Sequence, residues 1–445
     1  MVPKNDICAK LQDTGRQLKT EYHQLDQSKF PLKIAIYLLS FLYLYWCIFP
    51  KRDDFWRIVY NSLFFVQNPS QFFISGMKYI VYPPTIYAIE GYWTQLGAIL
   101  YHIPIPDLKT HIFAYYYNGS SNVLYGILPY WGMLPLMLAL FLFVALCYYV
   151  CKNKVLTLLC FGPLTFVSVI LLGQLDIFCV LYIFISLILM KEAMSSDNYF
   201  YYILLSFLAL GISMQFKTYG ALLLPVYLLY THTILKSRKL GIWSYLVTFL
   251  IAIESFLISM FIIWVPFGFS AFQSAILAGE SNWLFSYQLP TGLSLWLVGY
   301  FFIFCYMYRF ISQTDNRFLK DDRYFHFFNF GVVVWFFIAV PAYPQWWLLL
   351  LPVLILVMDN FSLQNNYLYC LGVCVFYWIY INSYVGFFAT FSYYVGSLIS
   401  LLSNINQNEN LIALSLLIGI LILWMYDLKV ELDKNPELPI TLPLT

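Results

Sequence analysis

Long apolar runs dominate this sequence and restrict what it can fold into. They lie at residues 31–49, 124–150, 155–172, 176–190, 199–216, 219–235, 243–265, 291–308, 325–341, 346–358, 367–385 and 410–427. Hydrophobic residues make up 61% of the chain and charged residues 10%, which is more apolar side chain than a soluble core can hide. Because roughly 20 apolar residues cross a bilayer as a helix, we predict an all-α polytopic membrane protein with about 12 (11–13) transmembrane helices. Whether the region 386–409 forms one further span is left open.

The positions of Lys and Arg predict the orientation of these spans. Alternation from a cytoplasmic N-terminal tail, residues 1–30, places 18 of the 24 Lys and Arg residues inside. The tail lacks the short apolar region of a signal peptide. Residues 31–427 are then one transmembrane domain, residues 50–123 are a long first extracytoplasmic loop, and residues 428–445 are a cytoplasmic tail.

The segment 82–103 within this loop is the main ambiguity of the layout. It contains Pro83, Pro84, Glu90 and Gln95, and a polar stretch follows it. If it crossed the bilayer, Lys and Arg residues of the later loops would fall outside. We therefore predict an amphipathic helix that lies on the outer surface.

Charge and cysteine spacing exclude several classes of function. The net charge is +2, and no basic run interleaves with aromatic residues as a nucleic-acid surface requires. The nine cysteines show no CxxC or Cys/His spacing, and the five histidines form no cluster. We predict no nucleic-acid partner, no metal site and no cofactor.

Unusual polar residues gather at the predicted outer ends of the spans. Two adjacent carboxylates, Asp53 and Asp54, follow the first span, with Arg52 and Arg57 beside them. The same side receives four further short motifs: Tyr82-Pro83-Pro84, Gly173-Gln174-Leu175-Asp176, Lys217 between two spans, and Pro344-Gln345-Trp346-Trp347. The other side receives routine basic loops.

The order of these motifs resembles the GT-C glycosyltransferases, and more narrowly the mannosyltransferases related to the second mannosyltransferase of GPI-anchor synthesis. The resemblance covers most of residues 31–360. It implies an inverting enzyme that moves a hexose, with mannose as the first expectation, from a polyprenyl or dolichyl phosphate to a hydroxyl of a lipid-linked or cell-surface glycan. The reaction would take place on the extracytoplasmic or lumenal side, at a bacterial plasma membrane or, in a eukaryote, at the endoplasmic reticulum. The resemblance leaves open whether a small membrane subunit accompanies the enzyme.

Such a reaction needs a carboxylate base and a cation for the departing phosphate. One of Asp53 and Asp54 is the predicted base, although Asp is also favoured where helices begin. Lys217 is the predicted phosphate contact, because an ammonium at a span boundary is costly without a partner. A Lys that snorkels to the interface is the alternative. Arg52 and Arg57 are rival phosphate contacts, since Arg binds phosphate in bidentate fashion.

Five further residues are predicted to touch the sugar or to shape its site. Tyr82 precedes two prolines that fix an extended corner, and its ring could stack on a sugar. Gln174 and Asp176 flank a turn, where Asp176 serves equally well as a helix cap. Gln345 and Trp346 could bind sugar hydroxyls and a ring face, although Trp at a helix end is often a membrane anchor.

Glu254 stands alone midway along a predicted span, where a carboxylate is a functional candidate unless it is protonated or paired inside the bundle.

One other class of function is an alternative to the enzyme. A chain of about 12 spans could also be a transporter or a flippase for a lipid-linked or small polar substrate. The halves show no internal repeat, and the polar residues gather at one face instead of mid-membrane, so we favour the enzyme.

Overall fold

The computed structural model describes residues 53–72, 82–103, 128–151, 175–261, 288–290, 292–313, 319, 321–340, 344–361, 365–385 and 407–434. All of them belong to one compact unit, Lys51–Thr445. The first predicted span, the run at 155–172 and most of the region 386–409 lie outside the described residues.

Helices make up nearly all the regular structure of the described residues. They are α1 (Asp53–Gln67), α2 (Pro69–Phe72), α3 (Pro84–Leu100), α4 (Leu128–Val150), α5 (Asp176–Ser195), α6 (Tyr199–Met214), α7 (Gly220–Ser237), α8 (Ile242–Phe261), α9 (Leu295–Gln313), α10 (Arg323–Ala339), α11 (Leu350–Asn360), α12 (Asn366–Val385) and α13 (Gln407–Lys434). A 3₁₀ helix, Pro344–Leu349, precedes α11. One isolated antiparallel bridge joins Gln288 and Ser294.

The all-α prediction is confirmed for the described residues, and their apolar helices support the prediction of a membrane protein. Five helices are long and apolar enough to cross a bilayer: Trp131–Val150, Asp176–Ser195, Ile242–Phe261, Leu295–Ser312 and Ile412–Lys434. Several shorter apolar helices pack among them. The count of about 12 spans stays a prediction.

The Tyr-Pro-Pro corner forms as predicted and starts α3. Pro83 is extended, with φ −60° and ψ 159°, and Pro84 occupies the first helical position, where its missing N–H costs nothing. The helix then packs on α1 at Gly91, where an added Cβ would lie 2.4 Å from the Ser62 carbonyl oxygen. The side chain of any other residue would separate the two helices there.

Helix α3 is not among the candidate spans, and its amphipathicity is the reverse of the usual surface pattern. Its exposed face is apolar and carries Tyr92, Leu96, Ile99 and Leu100, whereas Glu90 is fully buried. An apolar face turned outward suits a helix that lies in the bilayer interface. The surface location of this helix stays a prediction.

Contacts between helices define one end of the bundle. The Tyr300 hydroxyl, near the start of α9, donates a hydrogen bond to the carbonyl of Leu222, near the start of α7. The Trp335 indole, near the end of α10, donates to the carbonyl of Trp296 at 3.1 Å. The connection between α6 and α7, which carries Lys217, lies at the same end of the bundle. We call this end the Lys217 end.

The opposite end is held by ion pairs. Lys191, in the last turns of α5, lies 2.7 Å from the carboxylate of Asp322 and donates to the side-chain oxygen of Asn360 at 3.2 Å. Arg323, at the start of α10, lies 3.7 Å from Glu431 of α13. We call this the Arg323 end. Its cations are residues that the sequence predicts to be cytoplasmic. The orientation of the two ends in a membrane stays a prediction.

Candidate functional site at the Lys217 end

Lys217 lies in a short connection whose backbone is fixed against α5. Its N–H donates to the carbonyl of Ser213 at 3.1 Å, and its own carbonyl accepts from the Cys179 thiol at 3.6 Å. The adjacent ring of Phe216 stacks on Phe178 and Tyr182, with ring centres 5.2 and 5.7 Å apart. The position of the Lys217 Cα is therefore set by packing and not by its charged side chain.

The Lys217 side chain is buried, with 3% of its surface exposed. Its ammonium lies 4.3 Å from the centre of the Tyr82 ring and 6.0 Å from that of Tyr219. The face of an aromatic ring carries negative charge density and stabilises a cation within about 6 Å. The tyrosine rings therefore offset part of the cost of removing this ammonium from water.

A buried carboxylate completes the cluster. The Tyr82 hydroxyl donates to Oδ2 of Asp176 at 3.4 Å, and Asp176 is fully buried. Helix α5 begins at Asp176 itself, with Leu175 in the capping position, so Asp176 is not the N-cap that the sequence allowed. A carboxylate in the first turn still interacts favourably with the positive end of the helix dipole. Tyr82, Asp176 and Lys217 thus meet from three distant stretches of the chain.

Gln215 extends this cluster and was missed by the sequence predictions. Its side-chain oxygen accepts a hydrogen bond from the Thr85 hydroxyl at 3.5 Å, and its amide donates to the carbonyl of Ser259. These two bonds tie the start of α3 to the ends of α6 and α8. Its place two residues before Lys217, in the same polar connection, is the signal that could have identified it.

Trp346 reaches the cluster through Tyr219. The Tyr219 and Trp346 ring centres are 6.3 Å apart, and Phe336 lies 6.1 Å from Trp346. Trp346 is 5% exposed, so it packs inside the bundle. That position does not suit a membrane anchor, which needs contact with the interface. Its predicted role as a sugar contact is not tested by this placement.

The remaining predicted residues are placed only in part. Asp53 and Asp54 are the first two residues of α1, and Arg57 follows one turn later. Gln345 lies in the 3₁₀ helix before α11, whereas Arg52 and Gln174 lie outside the described residues. The structure therefore gives the backbone of four of these residues, and their predicted roles stay predictions.

The direction of α1 separates the two acids from Tyr82. Ser62 lies against Gly91, and Phe65 lies against Tyr87, so α1 and α3 run in opposite directions. Asp53 is nine residues before Ser62, and Tyr82 is nine residues before Gly91. At 1.5 Å per residue, Asp53 and Tyr82 lie on opposite sides of this contact and about 25 Å apart. The carboxylate that the described residues bring to Tyr82 is that of Asp176.

Helix α3 also carries a buried acid on another side. Glu90 is fully buried, and within the described residues its carboxylate oxygens have no hydrogen-bond partner. Removal from water disfavours the charged form and raises the pKa of Glu90 from 4.5 to about 8. Glu90 is therefore mostly protonated at neutral pH.

Within the described residues, no group of three or more His, Cys, Asp and Glu side chains could hold a metal ion. No model of a known protein family, no curated protein and no solved structure matches the chain. The resemblance to the GT-C glycosyltransferases therefore depends on the sequence motifs alone.

Proposed function

We propose that the protein is a membrane glycosyltransferase that moves a hexose from a polyprenyl-phosphate carrier to a hydroxyl of a lipid-linked or cell-surface glycan. The observation that carries the proposal is the buried ammonium of Lys217, which lies over the Tyr82 ring. The hydroxyl of the same ring donates to the carboxylate of Asp176. A cation kept away from water is suited to bind an anion in the same environment. The single phosphate of the polyprenyl carrier is such an anion, and it is the group that leaves the sugar.

The chemistry assigns Lys217 the role of stabilising the phosphate that leaves the sugar. As the bond between the anomeric carbon and the phosphate oxygen breaks, negative charge grows on that oxygen. A fixed ammonium interacts more strongly with this charge in a site that excludes water than it would in solution. Lys acts here as a compact point charge, whereas Arg52 or Arg57 would bind phosphate oxygens in pairs.

The attacking hydroxyl also needs a carboxylate that accepts its proton. The base takes the proton of the hydroxyl that attacks the anomeric carbon, and the phosphate leaves that carbon, so the base and the phosphate contact must both lie within about one sugar ring of it. The sequence favours Asp53 or Asp54, whereas in the described residues Asp176 contacts Tyr82 and Asp53 is about 25 Å from it. With Lys217 as the phosphate contact, the base is therefore Asp176, and attack on the face of the sugar opposite the phosphate gives inversion.

Purified protein in lipid vesicles tests the proposal. The vesicles would receive radiolabelled polyprenyl-phosphate hexoses, one sugar at a time, together with total membrane lipid as acceptor. For at least one of the hexoses, we expect label to pass from the carrier to a second lipid or glycan. The Lys217→Ala protein should transfer this hexose much more slowly. Movement of labelled carrier between leaflets without transfer would instead support the flippase alternative. Absence of transfer with every hexose would contradict the proposal.

A further inference from the structure

Helix α8 presents an apolar face with a carboxylate at its centre. The exposed residues of this face are Trp243, Val247, Leu250, Leu257 and Ile258, and Glu254 is exposed among them. At 100° per residue, Glu254 lies within about 40° of Trp243, Val247, Leu250 and Ile258 around the helix. The sequence prediction left open that Glu254 pairs inside the bundle, and the structure instead turns it outward.

The depth of Glu254 makes this exposure costly. Helix α8 is a candidate membrane span, and Glu254 lies 12 residues after Ile242 and 7 residues before Phe261. It is thus about 18 Å and about 10 Å from the two ends of the helix. A carboxylate within the hydrocarbon is normally paired or faces the bundle interior. Within the described residues, no side chain forms an ion pair or a hydrogen bond with Glu254.

The exposed face of α9 offers a comparison with that of α8. It carries Leu297, Phe301, Phe302 and Tyr306, and α9 is the least buried of the candidate spans. These side chains are uncharged, so acyl chains would cover them without leaving a charge unsatisfied. The face of α8 differs by its carboxylate, so lipid alone does not complement it.

We propose that this face of α8 binds a transmembrane helix of another protein that carries a Lys or Arg at the depth of Glu254. The partner's cation would pair with the carboxylate, and the apolar residues on both sides of Glu254 would pack against the partner's helix. A second copy of this chain is less suitable. Its symmetric contact would bring two Glu254 side chains together, and like charges repel. The proposal is independent of the glycosyl transfer described above.

Designed transmembrane peptides test the recognition directly. Full-length protein in phosphatidylcholine vesicles would be titrated with a labelled Leu/Ala helix that carries one central Lys, and binding would be followed by energy transfer. The matched peptides carry a central Leu or a central Glu. We expect the Lys peptide to bind about tenfold more tightly than the Leu peptide, which is about 1.4 kcal/mol. This preference should disappear in Glu254→Leu protein. Equal binding of the Lys and Leu peptides to the native protein, or an undiminished preference in Glu254→Leu, would overturn the proposal.

Photo-cross-linking in the native membrane identifies the occupant. A photoreactive residue would replace Leu250 on the α8 face or, as the matched control, Phe301 on the α9 face. We expect an adduct with another protein at Leu250, formed through an apolar segment that contains Lys or Arg, and its loss when Glu254→Leu is added. An adduct with a second copy, a cross-link within the chain, or no adduct at Leu250 would overturn the proposal.

Discussion

The two ends of the bundle use their buried charges differently. At the Arg323 end, the guanidinium of Arg323 binds Asp321 through bonds of 2.6 to 3.0 Å, and Lys191 lies 2.7 Å from Asp322. At the Lys217 end, the ammonium of Lys217 lies over a tyrosine ring. The first arrangement pairs each cation directly with a carboxylate. The second places the cation over a tyrosine ring whose hydroxyl binds a carboxylate, that of Asp176.

Under the proposed function, this difference separates a structural end from a substrate end. The ion pairs of the Arg323 end join α5 and α13 to the start of α10 and so hold the helices together. The tyrosine ring at the Lys217 end offers a surface on which a sugar can stack, next to a cation for its phosphate. We therefore propose a structural role for the Arg323 end and substrate binding for the Lys217 end. The following variants test this assignment, from the largest expected effect to the smallest.

The largest effect is expected from the catalytic carboxylate. An amide is nearly isosteric with a carboxylate but cannot accept the proton, so loss of the base should lower kcat by about 10²- to 10⁴-fold. With Lys217 as the phosphate contact, Asp176→Asn should show this loss, and the double variant Asp53→Asn, Asp54→Asn should lose far less, because Asp53 lies about 25 Å from Tyr82. Transfer rates of the folded variants measure both losses. The reverse pattern would assign the base to Asp53 or Asp54 and contradict the proposed role of Lys217, and normal rates in both variants would contradict the reaction proposed.

The buried acid of α3 should make the stability of the protein depend on pH. Because the folded-state pKa of Glu90 is about 8 and its ordinary value is 4.5, the folded protein binds more protons than the unfolded chain between these values. The free energy of unfolding should therefore fall as pH rises from 4.5 to 8, by at most about 5 kcal/mol, and level off above 8.

Thermal unfolding in detergent, followed by tryptophan fluorescence, measures this dependence. In Glu90→Gln the fall between pH 4.5 and 8 should be much smaller. Glu192→Gln, at a partly exposed position of α5, is the matched control and should keep the native profile. A native profile in Glu90→Gln would mean that Glu90 is ionised in the folded protein.

Removal of the arginine at the other end should destabilise without a specific effect on transfer. Arg323→Ala leaves the carboxylates of Asp321 and Glu431 without their cation in a largely buried site. Breaking a buried pair on one side costs about 3 kcal/mol or more. We expect a lower unfolding temperature and, in the folded fraction, an unchanged KM for the donor. A raised donor KM with native stability would mean that the Arg323 end binds substrate.

Tyr82 separates the contribution of its ring from that of its hydroxyl. Tyr82→Phe keeps the ring beside Lys217 and removes the hydrogen bond to Asp176, whereas Tyr82→Leu removes both. A hydrogen bond to a carboxylate contributes about 1.5 kcal/mol or more, so the Phe variant should lose about tenfold in transfer and the Leu variant more. Initial transfer rates at low donor concentration measure both. Equal rates in the two variants would show that the ring has no role of its own.

The sequence predicted the helices of this fold better than their contacts. Apolar runs located α5 to α13, and the polar interruption at Lys217 separated α6 from α7, because hydropathy and turn residues are local properties. The contact of Tyr82 with Asp176 joins positions 94 residues apart, and no local pattern encodes such a pairing. The same limit applies to Gln215, whose partners lie on α3 and α8.

Burial of single polar residues was equally hard to predict. Glu90 looked like the polar face of a surface helix, but it is buried while apolar residues are exposed. For Glu254 the sequence left open a functional carboxylate, a protonated one and one paired inside the bundle, and the residue is exposed. A helix that is apolar on all sides gives no hydrophobic stripe from which to read the buried face. Only the neighbouring helices decide which side is covered.

Steady-state transfer by two lysine variants tests the division between the ends most directly. Lys217→Ala and Lys191→Ala each remove one ammonium from a partly or fully buried site, at opposite ends of the bundle. In vesicles with equal amounts of folded protein, we expect kcat/KM for the polyprenyl-phosphate hexose to fall at least about tenfold in Lys217→Ala, the loss of one charge-assisted contact worth about 1.4 kcal/mol or more. Lys191→Ala should stay within about twofold of the native value, because a partly exposed ion pair contributes under about 1 kcal/mol. Equal losses in the two variants, or a native rate in Lys217→Ala, would contradict the assignment of substrate binding to the Lys217 end.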